Sequence, residues 1–115
     1  MHTHHTIDYI EFNVTDMAEA KRFFADAFGW EFNDYGPEYA GIKGGADEVG
    51  GLRKVERGVA GGPLVILYSD DLEASLAAVE EAGGVVIKDV FEFPGGRRFE
   101  FADPSGNALA VWGLA

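Results

Sequence analysis

The sequence predicts an α+β protein of two similar halves, each with the order strand, helix and three strands. Two observations support this. At one common shift along the chain, Asp16 lies over Asp71 and Gly29 lies over Gly84, so the halves repeat. Alternating apolar and polar residues also indicate strands before and after each helical segment. A single βαβββ module would leave its apolar sheet face exposed, so the two modules are expected to pair.

The first half opens with a strand at Ile7–Val14, in which apolar and polar residues alternate. Asp16, followed by Glu19 three residues later, is typical of a helix N-cap. Gly29 is expected to end this helix as a C-cap. Between these limits, apolar residues recur at helical spacing and are expected to pack in the core. They are Met17, Ala20, Phe23, Phe24, Ala27 and Phe28.

Three further strands are predicted in this half, at Trp30–Tyr35, Tyr39–Lys43 and Leu52–Arg57. The glycine-dense stretch 36–62 does not resemble a phosphate-binding loop, because no Gly-Lys-Ser/Thr closes it and no helical pattern follows. It is interpreted as hairpin turns and a mobile loop, with Asp47–Glu48 at an exposed loop tip.

The second half follows the same order. Leu64–Ser69 is predicted to be a strand, and Asp70–Asp71 to open a helix with Glu73 three residues after Asp70. The apolar positions of this helix are Leu72, Leu76 and Val79. Gly83–Gly84 are expected to end it, and Val85–Val90 to form the next strand.

The final hairpin is the clearest local pattern. Asp103-Pro104-Ser105-Gly106 has the residues that a β-turn prefers, with Asp first, Pro second and Gly fourth. Alternate residues of its two strands are apolar and are expected to pack on one face of the hairpin: Phe99, Phe101, Leu109 and Val111. The opposite face carries Arg98 and Glu100. Asp103 and Asn107 are assigned to the chemistry of the turn.

Composition limits the function. The chain has 115 residues and 12.4 kDa, which fits one domain. A formal charge of −11 argues against nucleic acids and anionic membranes as partners. The absence of cysteine excludes disulfides and thiolate chemistry. With no apolar stretch of spanning length, a cytosolic location is expected.

Residues 1–6 are predicted to be a flexible N-terminus. His2, His4 and His5 could form a metal site, as short histidine-rich tracts do. Because chain termini are usually poorly ordered, they are given no role.

The stretch Phe99-Glu100-Phe101-Ala102-Asp103-Pro104-Ser105-Gly106-Asn107 resembles the last hairpin of the vicinal-oxygen-chelate superfamily, which includes glyoxalases, bleomycin-resistance proteins and extradiol dioxygenases. Val14-Thr15-Asp16 also resembles this superfamily, and Phe28-Gly29-Trp30 looks like its glyoxalase-like branch of unassigned activity. The resemblance covers Ile7 to Trp112. It implies one domain over 7–115, with modules at about 7–58 and 63–113, mixed sheets that curl into an open cup, and a homodimer.

Members of this superfamily with known chemistry bind a divalent metal through His, Gln and Glu side chains. The corresponding positions here are Tyr9, Leu64 and Ala110. A divalent metal needs several N, O or S donors, and leucine and alanine supply none. We therefore predict no metal and no other cofactor at these positions.

Eight residues are predicted to line the cup: Tyr9, Glu11, Asn13, Ile66, Tyr68, Arg98, Glu100 and Trp112. Aromatic walls with a few polar groups are typical of a site for a small, partly aromatic molecule, with Tyr9 and Trp112 as wall residues. In an alternative reading, Glu11, paired with Glu100, is the general base of a lyase, isomerase or dioxygenase, which could also use a displaced metal site. Both carboxylates could instead pair with Arg98, or the protein's own side chains could fill the cup.

Overall fold

The computed structural model describes residues 2–56 and 62–114, and the order of elements there confirms the prediction of two βαβββ modules. The chain is an α+β protein. The elements are β1 Ile7–Val14, α1 Met17–Phe28, β2 Phe32–Asp34, β3 Tyr39–Gly44, β4 Asp47–Lys54, β5 Leu64–Tyr68, α2 Leu72–Glu81, β6 Val85–Phe93, β7 Gly96–Ala102 and β8 Ala108–Gly113.

The described residues form two compact units. The first unit contains 9–56 with 62 and 63, and the second contains 2–8 with 64–114. The first two residues of β1 thus belong with the second module.

In the first unit, the strand order is β2-β3-β4-β1. Strands β1 and β4 are parallel, and the other neighbours are antiparallel. Ala40, Ile42 and Leu52 are buried on one face of this sheet. Because side chains alternate along a strand, Tyr39 and Gly41 belong to the opposite face.

Helix α1 begins and ends where the sequence predicts. Asp16 accepts a hydrogen bond from the Glu19 backbone, and Gly29 has a φ of 72°. The prediction that its aromatic stripe lies in the core is wrong, because no residue of α1 is buried. Phe24 contacts Phe12 and Trp30, but Phe23 and Phe28 are 57% and 65% exposed and contact each other. Among the aromatic residues of α1, Phe24 is the one whose ring contacts an aromatic ring of β1, that of Phe12.

Two strand assignments in this unit need correction. Strand β2 is shorter than the predicted Trp30–Tyr35. Strand β4 begins at Asp47, so the expectation of a loop tip at Asp47–Glu48 is wrong; the turn lies at Gly45–Ala46. Consequently β4 also begins earlier than predicted, and Arg57 lies outside the described residues.

In the second unit, the strand order is β5-β8-β7-β6, with β5 parallel to β8. The final hairpin is confirmed. Asp103 accepts hydrogen bonds from the backbones of Ser105 and Asn107 and from the Asn107 side chain. The predicted apolar parity packs against α2 in a core of Leu72, Phe99, Phe101 and Val111 with the partly buried Leu109.

Helix α2 is capped by Asp71, whose side chain accepts from the Ala74 backbone. The prediction that the helix opens at Asp70–Asp71 is confirmed, with Asp71 as the capping residue. Glu73 binds Arg97, with the nearest atoms 2.6 Å apart. Gly83, with a φ of 101°, follows the helix end as expected. Among the residues described, no helix is long and apolar enough to cross a bilayer.

Candidate functional site

The eight residues predicted to line the cup fall into two groups. Tyr9, Glu11 and Asn13 lie in the first unit. The second unit holds the other five: Ile66, Tyr68, Arg98, Glu100 and Trp112. That both groups line one cup stays a prediction, so each group is described by itself.

A row of four paired residues crosses the sheet of the first unit. Asn33 pairs with Gly41, Gly41 with Gly51, and Gly51 with Glu11. Paired positions on neighbouring strands direct their side chains to the same face. The two central positions are glycines, so the middle of the row has no side chain of its own.

Side chains from neighbouring positions use the space above these glycines. A Cβ atom on Gly41 would lie 1.8 Å from Glu48 Oε1, and one on Gly51 would lie 2.0 Å from the Tyr39 hydroxyl. Both distances are far below van der Waals contact. The interpretation of the glycine-dense stretch as turns is therefore wrong for Gly51, whereas Gly41 lies in the strand predicted at Tyr39–Lys43. The two glycines make room for Tyr39 and Glu48.

Tyr9, Glu11, Tyr39 and Glu48 form a hydrogen-bonded chain, which we call the tyrosine–carboxylate network. The Tyr9 hydroxyl donates to Glu48 Oε2 at 2.9 Å and lies 2.9 Å from the Tyr39 hydroxyl. Tyr39 in turn donates to Glu11 Oε2 at 2.9 Å. Glu11 is only 5% exposed. The network thus joins a buried carboxylate to the half-buried Glu48 through two phenols.

Two further donors reach Glu48. The Tyr35 hydroxyl and the Asn33 amide donate to Glu48 Oε1 at 2.7 and 3.2 Å. Sequence reasoning missed Asn33, Tyr35, Tyr39 and Glu48 as site residues. The sequence did contain a signal for Tyr39. Because side chains alternate along β3, Tyr39 lies on the sheet face opposite to that of the apolar Ala40.

The phenols of the network are neutral hydrogen-bond donors. Burial, followed by the hydrogen bond with Tyr39, raises the pKa of Tyr9 far above its ordinary value. Burial and the nearby charge of Glu11 raise the pKa of Tyr39 in the same direction. Carboxylate and phenol oxygens are hydrogen-bond acceptors, so the chemistry of the network suits a ligand that carries a proton donor.

Asn13 lies on the same face of β1 as Tyr9 and Glu11. It pairs with Arg53 of β4, and that pair extends the polar face by one more step along the strands.

In the second unit, Tyr68, Trp112 and Arg98 are neighbours across β5, β8 and β7. The rings of Tyr68 and Trp112 meet edge to face, with their centroids 5.2 Å apart. The centroid of the Phe93 ring lies 6.2 Å from that of Trp112. The Trp112 indole donates to Asp8 Oδ2 at 2.9 Å. We call Asp8, Tyr68, Phe93 and Trp112 the aromatic corner.

Ile66 and Glu100 flank Ala110 in the next row of this sheet. Arg98 Nη2 donates to Glu100 Oε2 at 3.0 Å, and the guanidinium also lies 5.5 Å from the Phe91 ring. In this structure Glu100 is the partner of an arginine, which is the structural alternative to a role as a base.

The donors that a divalent metal requires do not occur at the positions implied by the family. Leu64 and Ala110 have no donor atom, and the Tyr9 phenol is engaged with Glu48 and Tyr39. Within 2–56 and 62–114, no three His, Asp or Glu side chains converge as metal ligands would. The residues present do not fit the usual metal centre.

The chain thus has the architecture of a class of small α+β domains that consist of two βαβββ modules. Its sheets carry aromatic and carboxylate side chains. The family model described as Glyoxalase/Bleomycin resistance protein/Dioxygenase superfamily matches residues 6–111. The chain belongs to this superfamily.

Relatives agree with this membership. A glyoxylase-like domain-containing protein of Didymella fabae is 31% identical, over 94% of this chain and 93% of its own. The CFP32 protein of Mycobacterium tuberculosis, provisionally named a glyoxylase, is 27% identical over 93% of this chain and 45% of its own. The Mn(II)-bound glyoxalase of Novosphingobium aromaticivorans is 30% identical with a TM-score of 0.74, over 98% of this chain and 40% of that one. The chain thus spans about half the length of CFP32.

Proposed function

We propose that the protein binds a small, partly aromatic molecule and does so without the usual metal centre of its superfamily. The tyrosine–carboxylate network is the observation that carries this proposal. It places two aromatic rings and two hydrogen-bond-accepting carboxylates on one sheet face. A cytosolic location, expected because the sequence has no apolar stretch of spanning length, belongs to the same proposal.

The chemistry of the network favours a ligand with a hydroxyl or N–H group on a planar ring. Small-molecule sites combine apolar surface with a few placed polar groups, and the rings of Tyr9 and Tyr39 beside Glu11 and Glu48 have this composition. Gly41 and Gly51 make room for Glu48 and Tyr39 on this face, because neither glycine carries a side chain.

Phenol and anisole test this proposal as a matched pair, since they share a ring and only phenol can donate a proton. We expect calorimetry to show that phenol and catechol bind, and that anisole binds at least about tenfold more weakly, which corresponds to roughly 1.4 kcal/mol. The Tyr39→Phe variant should lose this preference. Equal binding of phenol and anisole, or no binding of any probe at millimolar concentration, would contradict the proposal.

A second candidate is an enzyme of the lyase, isomerase or dioxygenase type with Glu11 as general base. The observation that favours it is the position of Glu11, a 5% exposed carboxylate joined to Glu48 by two phenols. Such a chain of hydroxyl groups could carry a proton from a buried base toward a more accessible carboxylate.

Deuterium exchange measures this activity directly. Incubation with hydroxyacetone in heavy water, followed by NMR, should show exchange next to the carbonyl. Glu11→Gln should slow the exchange by about 100-fold or more, since a general base contributes that much. Glu100→Gln is the matched control, because Glu100 binds Arg98. If the wild-type chain catalyses no exchange, this candidate fails.

The metal-dependent version of this candidate requires a displaced site. We expect protein purified without a metal-affinity step and then dialysed to retain no stoichiometric Mn, Fe, Ni or Zn, because Leu64 and Ala110 supply no ligands. Elemental analysis checks this expectation. A full equivalent of one metal, bound away from His2, His4 and His5, would instead support the metal enzyme.

A further inference from the structure

The side chain of His2 lies in the aromatic corner of the second unit. Its ring stacks on Tyr68 with a centroid distance of 5.0 Å and an interplanar angle of 21°. It also meets Trp112 edge to face at 4.8 Å. A planar ring with two nitrogen atoms is thus held between two aromatic side chains, in the arrangement that a bound heterocycle would adopt.

Asp8 completes this arrangement. One carboxylate oxygen, Oδ2, accepts from the Trp112 indole, and the other, Oδ1, lies 2.9 Å from His2 Nδ1. A carboxylate can only accept, so His2 Nδ1 carries the proton in this contact. The Asp8 side chain is 12% exposed. Because Trp112 orients it, Asp8 is a pre-positioned acceptor for an N–H group on the ring.

The N-terminal segment is attached to the second unit independently of His2. The His5 backbone N–H donates to Tyr68 O at 2.7 Å, and the Tyr68 N–H donates to Thr6 O at 3.1 Å. His5 Nε2 lies 3.0 Å from Ser75 Oγ. The His2 side chain remains 41% exposed. It can therefore leave the corner while the following residues stay in place.

From this geometry we propose that the aromatic corner recognises a planar nitrogen heterocycle with an N–H donor, and that His2 occupies it as an internal competitor. The proposal rests on the proposed small-molecule binding and names the class of ligand. A cationic ring gains most, since Asp8, the faces of Tyr68 and Trp112 and the formal charge of −11 all favour positive charge. His4 and His5 stack on each other outside the corner.

Imidazole and oxazole are suitable probes, because both are five-membered planar rings and only imidazole has an N–H group. Binding is followed by the fluorescence of Trp112 in a Trp30→Phe background, in which Trp112 is the one remaining tryptophan. We expect His2→Ala to raise the affinity for imidazole about tenfold, because a tethered competitor acts at a high effective concentration. Oxazole should bind that variant at least about tenfold more weakly than imidazole does.

Two further variants separate recognition from general effects. Thr3→Ala leaves the corner unchanged and should bind imidazole as the wild-type chain does. Asp8→Asn, added to His2→Ala, should lower imidazole affinity at least about tenfold because the charged acceptor is lost. In the wild-type chain, NMR should show the His2 ring protons shifted upfield by the Tyr68 and Trp112 rings, and saturating imidazole should remove the shift.

The outcomes distinguish this inference from the proposed function. If His2→Ala binds imidazole no better than the wild-type chain, His2 is not a competitor and the inference is overturned. If oxazole and imidazole bind equally, the corner does not recognise an N–H group, and the inference is again overturned. Should either occur while phenol still binds in preference to anisole, only this inference fails. If neither probe pair binds, both proposals fail.

Discussion

Tyr39 shows how one side chain can be both structural and functional. Its ring covers Gly51, and its hydroxyl joins Glu11 to Tyr9. Tyr35 makes the same kind of phenol-to-carboxylate hydrogen bond with Glu48 but is 60% exposed. The two tyrosines therefore form a matched pair that differs in burial.

This pair leads to a prediction about stability. We expect Tyr39→Phe to lower the free energy of unfolding by about 1.5–3 kcal/mol, because the buried Glu11 carboxylate loses the hydrogen bond from Tyr39. Tyr35→Phe should cost less than about 0.5 kcal/mol, since water can replace an exposed donor. Urea denaturation of both variants measures the difference. Equal effects would mean that burial of Glu11 does not govern the strength of this contact.

The residues of the network also show the limits of the sequence. Alternation in β1 was sufficient to place Tyr9 and Glu11 on one face. Glu48 was assigned to a loop because an acidic pair in a glycine-rich stretch is typical of one. Its position depends on the pairing of β3 with β4, including the register shift next to Lys43, and no local pattern encodes that pairing.

At the level of secondary-structure elements, the glycines of β3 and β4 are the feature that most directly shapes the polar face. Glycine weakens a strand interior, so its presence in paired central positions requires a reason. The reason here is steric, because Gly41 and Gly51 lie beneath Glu48 and Tyr39.

A double-mutant cycle tests this explanation. Gly51→Ala alone should destabilise the protein by roughly 1–3 kcal/mol, because the new methyl group overlaps Tyr39. In a Tyr39→Ala background the ring is gone, and the same change should cost clearly less. Thermal unfolding of the four proteins gives the coupling energy. If the two substitutions add independently, the glycine does not serve to make room for Tyr39.

The β7–β8 hairpin was the element most completely predicted, because Asp103, Pro104 and Gly106 specify their own turn. Its stability should depend on pH. Hydrogen bonds from Asn107, chiefly from its side chain, hold the pKa of Asp103 below the ordinary aspartate value. A lowered pKa in the folded state means that the ionised group stabilises the fold above the ordinary pKa, and that this stabilisation is lost as the pH falls through the lowered value.

Asp103→Ala should therefore lower the melting temperature by a few degrees at neutral pH. The difference from the wild-type protein should shrink as the pH falls below the ordinary aspartate pKa. Ser105→Ala is a suitable control, because Asp103 accepts from the Ser105 backbone and not from its side chain. A difference that is independent of pH would show that the charge of Asp103 does not stabilise the turn.

At the scale of the whole molecule, the internal repeat was the most informative signal. The match of Asp16 with Asp71 predicted two βαβββ modules, and both aspartates cap their helices. Helix packing was less predictable. Phe23 and Phe28 satisfy the apolar spacing of a core helix, yet both are more than half exposed. Apolar spacing along a helix does not show how much of that helix the sheet can cover.

These exposed rings support the prediction of a homodimer. Large apolar side chains grouped on a surface mark interaction sites, and two-fold dimers are the commonest assembly. We propose that a second copy of the chain covers Phe23 and Phe28 of α1.

Light scattering at micromolar concentration should give twice the chain mass of 12.4 kDa. The double substitution Phe23→Glu and Phe28→Glu should give the monomer mass, because four glutamates would meet at a two-fold interface that excludes water. Ile87→Glu, at a position 57% exposed on β6, is the matched control and should leave the dimer intact. A wild-type monomer contradicts the homodimer, and a dimer that survives the α1 substitutions shows that another surface forms it.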